Sequence, residues 1–325
     1  MHPLIRITES VARNNLRFFD LRERSSLFAL LLAFICAAAL PFHATAAAVS
    51  GTRVLCSVFP VYSIALELVR GTDIQVDLLL PADLGCPHNY ALTPTDLKKM
   101  GDADALFCIG LGFEPFVDRI PQSASLTPYF MAKDFSTLPS FGGSQENAHI
   151  FTTPKGVSHL ATSIAEALTK VFPANTTLVK ANEQKFLALV AAYDRDWSAA
   201  AERFSGTPVL LAQDSLDYIA QDLHLKILGH IESGDTANLS AKEMLELAAL
   251  IRNKHPVAIL VDSQTSSPAA ETLSQETNIP IVPLDTLARG PAFPPEGHAA
   301  KVLADNLELL TAGLSEATKN SAEMK

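Results

Sequence analysis

The sequence predicts an α/β protein with two parallel-sheet lobes joined by one long helix, and three observations carry this prediction. Short apolar runs alternate with helix-like stretches in two separate series, as parallel sheets covered by helices require. Between the two series lies a stretch, residues 177–204, that contains neither Gly nor Pro. The chain has 325 residues, which is enough for two domains of about 100–200 residues each.

Residues 1–48 have the pattern of a secretory signal peptide. Several arginines precede an apolar run at 27–40, and the small residues at 44–48 offer A-x-A cleavage sites. The apolar run is shorter than the ~20 residues that span a membrane. Cys36 follows Ile35, where a lipoprotein signal needs a small residue, so we do not interpret it as a lipidation site. We therefore expect a secreted or periplasmic mature protein.

The first lobe is predicted for residues 49–176. Gly71 and Pro81 end a helix and a strand, and Thr93 with Pro94 forms the cap and first turn of a short helix. A polar loop at 136–147 separates these elements from a longer helix. The predicted strands cover 54–59, 74–80 and 105–109, and the predicted helices cover 63–70, 94–100 and 156–171.

The linking helix, residues 177–204, places Leu187, Val190 and Trp197 on one apolar stripe. At ~1.5 Å per residue it reaches about 40 Å, long enough to join two lobes. The stripe is too irregular for the sustained heptads of a coiled coil. The second lobe, residues 205–325, repeats the alternation of the first. Its predicted strands cover 209–211, 258–261 and 281–282, and its predicted helices cover 216–222, 241–253, 268–277 and 298–317.

The net charge and the cysteine content argue against two classes of protein, nucleic-acid-binding proteins and disulfide-rich scaffolds. The formal net charge is -10 and no basic run follows the N-terminal segment, which argues against nucleic acid as a partner. Cleavage of the leader leaves Cys56, Cys86 and Cys108, too few for a disulfide scaffold. Cys56 and Cys108 are predicted to be core thiols, with a disulfide between them as the alternative. An apolar core must therefore supply the stability.

Polar side chains follow the ends of the predicted strands. His88 lies in the loop after the second strand, His149 precedes a helix, Gln213 follows the strand ending at Leu211, and Asp285 follows the last strand. Ligands of open α/β sheets bind at the carboxyl ends of strands, so we expect a site between the lobes. Imidazole together with carboxylate suits Zn, Mn or Fe(II). The alternative for each histidine is an ordinary hydrogen-bonded loop residue.

The remaining titratable residues are predicted to be structural. Glu114 is expected to stabilise a loop and His159 to pack against its helix. No serine lies in a G-x-S-x-G setting and no glycine-rich phosphate loop occurs, so we do not expect an enzyme. The other histidines expected to be surface or hydrogen-bonded residues are His224, His230, His255 and His298.

Short loop segments along the chain form a set that is specific only when taken together. They are VFP at 58–60, PHNY at 87–90, TPTD at 93–96, ADA at 103–105, GLGFE at 110–114, HIFTTP at 149–154, DSLDY at 214–218 and PLD at 283–285. Together they resemble the metal-specific (cluster A-I) solute-binding proteins of ABC transporters, which import zinc, manganese or iron. The resemblance covers nearly all of the mature chain, with Phe151 replacing the usual Trp.

The resemblance implies a rigid two-lobed monomer with a metal in the cleft between the lobes, delivered to the membrane permease of an ABC importer. Its ligands correspond to His88, His149, Gln213 and Asp285. Zinc is favoured over manganese, and manganese over iron. The loop at 136–147 is short and lacks histidine, whereas many zinc members have a long His-rich loop there. This difference argues slightly against a zinc scavenger.

Gln213 departs from the family, which places His or Glu there, and leaves three interpretations open. Its amide oxygen coordinates weakly, or water or an anion takes the fourth position, or Cys86 supplies a thiolate. Asp262 and Asp214 are predicted to orient a histidine ligand, with a simple cap as the alternative for Asp262. A degenerate, non-transporting paralogue acting as an accessory metal-binding or adhesion-type protein is the alternative function.

Overall fold

The computed structural model describes residues 52–84, 87, 90–120, 126–141, 146–232 and 239–323. The predicted signal segment 1–48, the predicted ligand His88 and the alternative ligand Cys86 lie outside the described residues. Within these ranges, none of the helices combines the length and apolar character that a membrane crossing needs.

Two four-stranded parallel sheets lie at the centres of two α/β lobes in the described part of the chain, which confirms the predicted fold class. The strand orders are β2-β1-β3-β4 and β6-β5-β7-β8, so both sheets have the same topology. The strands are β1 (Arg53–Cys56), β2 (Gln75–Leu78), β3 (Ala105–Cys108), β4 (Pro128–Phe130), β5 (Pro208–Leu211), β6 (Lys226–His230), β7 (Ala258–Asp262) and β8 (Ile281–Leu284).

Strands β4 and β6 were not predicted, and both lie at a sheet edge. Strand β4 begins with Pro128, which an edge position tolerates because the missing N–H faces away from the ladder. Strand β6 contains Gly229 and has no fully buried residue, so it lacks the continuous apolar run of a central strand. Edge strands of this kind escape a search for apolar runs.

Helices cover the sheets and connect them. The predicted helices are all present, although the first begins earlier than expected, because Pro60 lies in its first turn rather than before it. They are α1 (Phe59–Leu68), α2 (Pro94–Gly101), α3 (Pro154–Val171), α4 (Thr176–Phe204), α5 (Asp217–Asp222), α6 (Ala241–Lys254), α7 (Pro268–Thr277) and α8 (His298–Glu323).

The cap of α2 also anchors the loop that precedes it. The Thr93 hydroxyl accepts from the Asp96 N–H at 3.3 Å, and the Asp96 carboxylate accepts from the Thr93 N–H at 2.8 Å. The Tyr90 hydroxyl donates to the same carboxylate at 2.9 Å. Burial alone would raise the pKa of Asp96, but the hydrogen bonds from Thr93 and Tyr90 hold it below its ordinary value.

Helix α4 spans both lobes, as the sequence predicts. Val179 and Phe186 pack into the core around the first sheet, whereas Trp197 packs into a core of the second. Helix α8 also spans both cores: its first turns join the first core, and Leu310 joins the second. The Trp197 indole N–H donates to the Leu303 carbonyl of α8 at 3.3 Å. The two spanning helices therefore brace each other.

Cys56 and Cys108 are buried free thiols, as the core interpretation predicts. They lie on the adjacent strands β1 and β3, where Cys56 is in register with Phe107. Burial raises the pKa of both thiols well above the ordinary value. They contribute to the core as small apolar groups.

Candidate metal site

His149 lies in a buried position between the first lobe and the second. It precedes a 3₁₀ turn, Ile150–Thr152, that leads into α3 at its cap, Thr153. The residue is 6% exposed. Phe113 and Phe151 contact its ring edge-on, with centroids 5.4 and 5.9 Å away. These aromatic contacts pack one side of the imidazole ring and restrict its movement.

Asn147 holds His149 on its polar side. The Asn147 Oδ1 accepts from the His149 backbone N–H at 3.0 Å and lies 2.9 Å from its Nδ1. The Asn147 amide nitrogen donates across to the second lobe, to the Asp214 carbonyl at 2.8 Å and to Asp217 Oδ2 at 3.3 Å. Neither Asn147 nor Asp217 was predicted as a site residue, because their roles depend on a hydrogen bond between segments that are far apart in the sequence.

Gln213 follows β5, and its neighbour Asp214 approaches the same imidazole. Gln213 is half-buried and precedes a 3₁₀ turn with extended backbone. Asp214 Oδ1 lies 4.0 Å from His149 Nδ1, beyond hydrogen-bond distance, while its Oδ2 accepts from the Ser140 hydroxyl at 2.5 Å. The orienting hydrogen bond to the ring therefore comes from Asn147, and Asp214 adds a nearby negative charge.

Asp285 follows β8 and is firmly held. Its Oδ1 accepts from the Leu287 N–H at 2.7 Å, and its Oδ2 accepts from Gln264 Nε2 at 3.1 Å. Burial raises the pKa of Asp285 above its ordinary value, and the negative charges of Asp262 and Asp305 raise it further. A bound cation would therefore stabilise the ionised form of this carboxylate.

Asp262 and Gln264 form the loop beside Asp285. The carboxylate of Asp262 accepts from the Gln264 N–H at 3.0 Å and from the Thr265 hydroxyl at 2.9 Å, so both its oxygens bond to its own loop. This is the arrangement expected of a loop cap. Gln264 was not predicted, yet its amide positions Asp285, and its buried Oε1 has no hydrogen-bond partner among the described residues.

The order of strands in the second sheet brings Gln213, Gln264 and Asp285 to the same edge. Strands β5, β7 and β8 are consecutive in the second sheet, so Gln213, Gln264 and Asp285 all follow the carboxyl ends of neighbouring strands. Among the described residues, no three His, Cys, Asp or Glu side chains lie close enough to hold a metal ion. The described donors offer an imidazole, amide oxygens and a carboxylate, a set that fits the borderline divalent metals.

Glu114 closes the loop that supports the His149 ring. Its buried carboxylate accepts from the Ser57 hydroxyl at 2.6 Å, the Ile109 N–H at 2.7 Å and the Gly110 N–H at 3.0 Å. The adjoining residue, Phe113, packs against His149. Glu114 therefore has the loop-stabilising contacts that the sequence predicts.

Glu114 should make stability depend on pH. Burial raises the pKa of this carboxyl above its ordinary value, although hydrogen bonds from Ser57, Gly110 and Ile109 oppose the shift. Its contribution to stability is then full below the unfolded pKa of about 4.3 and is lost as the pH rises through the folded value. We expect the wild type to lose stability relative to Glu114→Gln as the pH rises from about 4 towards neutral. Denaturant unfolding of both proteins across this range checks it, and a constant difference would contradict it.

Comparison with known proteins gives one family and one fold. The family described as "ZnuA: Zinc-uptake complex component A periplasmic" matches residues 54–313. The high-affinity zinc uptake system protein ZnuA of Yersinia pestis is 22% identical over 280 residues, covering 77% of this chain and 86% of that protein. A Chlamydia muridarum protein described as metal-binding is 28% identical over 242 residues, covering 73% of this chain and 85% of that protein.

Among solved structures, the solute-binding protein FpvC from Pseudomonas aeruginosa in complex with Mn²⁺ has the same fold. The TM-score is 0.72 at 20% identity, over 82% of this chain and 98% of that chain. At this identity the likeness concerns the fold alone.

Proposed function

Because the chain belongs to the ZnuA family of zinc-uptake components, which confirms the resemblance seen in its sequence, we propose that it captures a divalent transition metal in the cleft between its lobes. It then delivers the metal to the membrane permease of an ABC importer, as a monomeric periplasmic carrier and not as an enzyme. The proposed ligands are His88, His149, Gln213 and Asp285. Zinc is the favoured metal, followed by manganese and then iron.

The observation that carries the proposal is the position of His149. It is a buried imidazole of the first lobe, held by hydrogen bonds and lying 4.0 Å from the carboxylate that follows Gln213 in the second lobe. Asp285, whose negative charge is poorly compensated, follows a strand of the same sheet. Nitrogen and oxygen donors from two lobes suit a divalent transition metal held between them.

Calorimetry on metal-free protein tests metal capture. We expect the protein to bind a single zinc ion per chain, and to bind zinc more tightly than manganese, because manganese has the lowest affinity for a given nitrogen and oxygen site among the first-row divalent metals. Competition with a chelator of known affinity extends the range of the measurement. Protein that binds none of these metals would disprove the proposal.

Growth under metal limitation tests delivery. Loss of the gene should slow growth of its host in chelator-treated medium, and added zinc should restore growth. A strain that grows as well as its parent in that medium would argue against import. It would favour the alternative of a non-transporting paralogue, which Gln213 motivates.

Gln213→Glu is expected to tighten zinc binding by about tenfold or more, or ~1.4 kcal/mol. Two neutral histidines and one aspartate leave a divalent site with uncompensated positive charge, and a glutamate would neutralise it. Calorimetric titration of both proteins measures the difference.

Gln221→Glu is the matched control, because it adds the same charge at an exposed position of α5. Equal gains in both variants would show that Gln213 lies outside the coordination sphere. A wild type without detectable binding that gains it through Gln213→Glu would favour the degenerate paralogue.

A further inference from the structure

We infer that Asn147 is a positioning residue that locks His149 in the tautomer carrying its proton on Nδ1, and that the second lobe holds Asn147 in place. The tautomer follows from the hydrogen bonds alone. Its consequence for metal affinity rests on the proposed function.

The orientation of the Asn147 amide is determined by its partners. Its nitrogen side faces two acceptors, the Asp214 carbonyl at 2.8 Å and Asp217 Oδ2 at 3.3 Å. Its oxygen side faces the His149 backbone N–H at 3.0 Å, which can only donate. A flipped amide would oppose like groups at all three contacts, so Oδ1 must face His149.

The tautomer of His149 follows from that orientation. An amide oxygen can only accept, and it lies 2.9 Å from Nδ1, so Nδ1 must carry the proton of the hydrogen bond. In the neutral ring the lone pair then belongs to Nε2. Nε2 is the nitrogen that can coordinate a metal. An acceptor on the remote nitrogen is the usual way in which proteins orient a histidine ligand and raise its basicity.

Asp217 is itself fixed from the second lobe. His230 Nε2 lies 2.5 Å from Asp217 Oδ1, and both side chains are 8% exposed. The Phe141 ring of the first lobe stacks on the His230 ring at a centroid distance of 4.0 Å. The sequence predicts a surface or hydrogen-bonded histidine at position 230, and the structure shows a buried, hydrogen-bonded one at the far end of this chain of contacts.

This chain of contacts links the two lobes through side chains. It runs from His149 and Asn147 in the first lobe to Asp217 and His230 in the second. A separate contact anchors the backbone, because the Tyr218 hydroxyl donates to the Asn147 carbonyl at 2.8 Å. Replacing the Asn147 side chain therefore leaves a docking contact in place.

Two-bond ¹H–¹⁵N correlation spectra of the metal-free protein test the inference directly. The His149 ring, assigned by the loss of its signals in His149→Ala, should show the Nδ1–H tautomer in the wild type. In Asn147→Ala the ring should lose this preference, and zinc affinity should fall by about 10–100-fold. A wild-type ring protonated on Nε2 would overturn the inference without any variant.

Two further variants separate positioning from general loosening. Ser140→Ala removes another hydrogen bond across the same interface, from Ser140 to Asp214, and should leave the tautomer unchanged and zinc affinity within about threefold. The conservative variant Asn147→Asp keeps an acceptor facing His149 Nδ1 but cannot donate to the Asp214 carbonyl, so it should keep the Nδ1–H tautomer that Asn147→Ala loses.

Retention of that tautomer in Asn147→Ala, or no larger loss of affinity than in Ser140→Ala, would refute the role of Asn147. A wild type that has the Nδ1–H tautomer but binds no zinc would refute the proposed function and support the tautomer assignment, since the ring is observed without metal.

Discussion

Alanine at position 149 or at position 285 is expected to lower zinc affinity by about 100-fold or more. Loss of a residue that only hydrogen-bonds to a metal ligand lowers metal affinity by about 10–100-fold, and loss of a ligand itself should lower it at least as much. His149→Ala removes the buried nitrogen donor of the first lobe, and Asp285→Ala removes the anionic donor of the second. His88→Ala should have a comparable effect, because the family resemblance implies a metal ligand at this position. Calorimetry with chelator competition measures the affinity of each variant.

His255→Asn provides the matched control for the histidine variants. His255 is exposed at the end of α6 and has a φ of 49°, a left-handed conformation that Asn accepts. Its replacement should leave zinc affinity within about twofold, as for surface changes that touch no binding group. Variants at His149 and Asp285 that bind zinc as well as His255→Asn would exclude both residues from the site.

Gly156→Ala is expected to destabilise the protein by about 3 kcal/mol or more, at the upper end of the range for overpacked sites. A Cβ atom at Gly156 would lie 1.6 Å from the Ile150 carbonyl oxygen, and a backbone atom cannot move aside as a side chain can. The melting temperature should fall by roughly 6–12 °C for a chain of this size. Zinc affinity should fall as well, because Ile150 follows His149 directly.

Gly101→Ala is the control for that substitution. Gly101 ends α2, and a Cβ there would meet nothing within 4 Å. Alanine at this position should leave the melting temperature unchanged or raise it slightly, because it restricts the unfolded chain. A Gly156→Ala protein that melts together with Gly101→Ala would show that the first turn of α3 is not packed against Ile150.

The fold was predictable where local chemistry and burial agree. The helix start at Thr93-Pro94 and the central strands β1, β3, β5 and β7 have strong local signals, and the structure contains all of them. The same local signals could not show that α8 joins both cores, because an apolar stripe does not identify its partner.

The candidate site was predictable only in part. His149 and Asp285 follow from residue type and position after strands, together with the family resemblance. Asn147, Asp217 and Gln264 were missed because their roles depend on hydrogen bonds between segments far apart in the chain: Asn147 meets Asp217 across the lobes, and Gln264 meets Asp285 across two loops. No local pattern encodes such contacts. A polar residue two positions before His149 or two positions after Asp262 is the modest signal that could have indicated Asn147 and Gln264, and no such signal exists for Asp217.

Anomalous diffraction from crystals of the zinc-loaded protein, recorded on both sides of the zinc absorption edge, tests most directly whether one ion is shared between the lobes. We expect a single strong peak about 2.0–2.2 Å from His149 Nε2 and from a carboxylate oxygen of Asp285. A peak bound to other side chains, or a crystal structure in which His149 and Asp285 cannot reach the same ion, would contradict the proposed site.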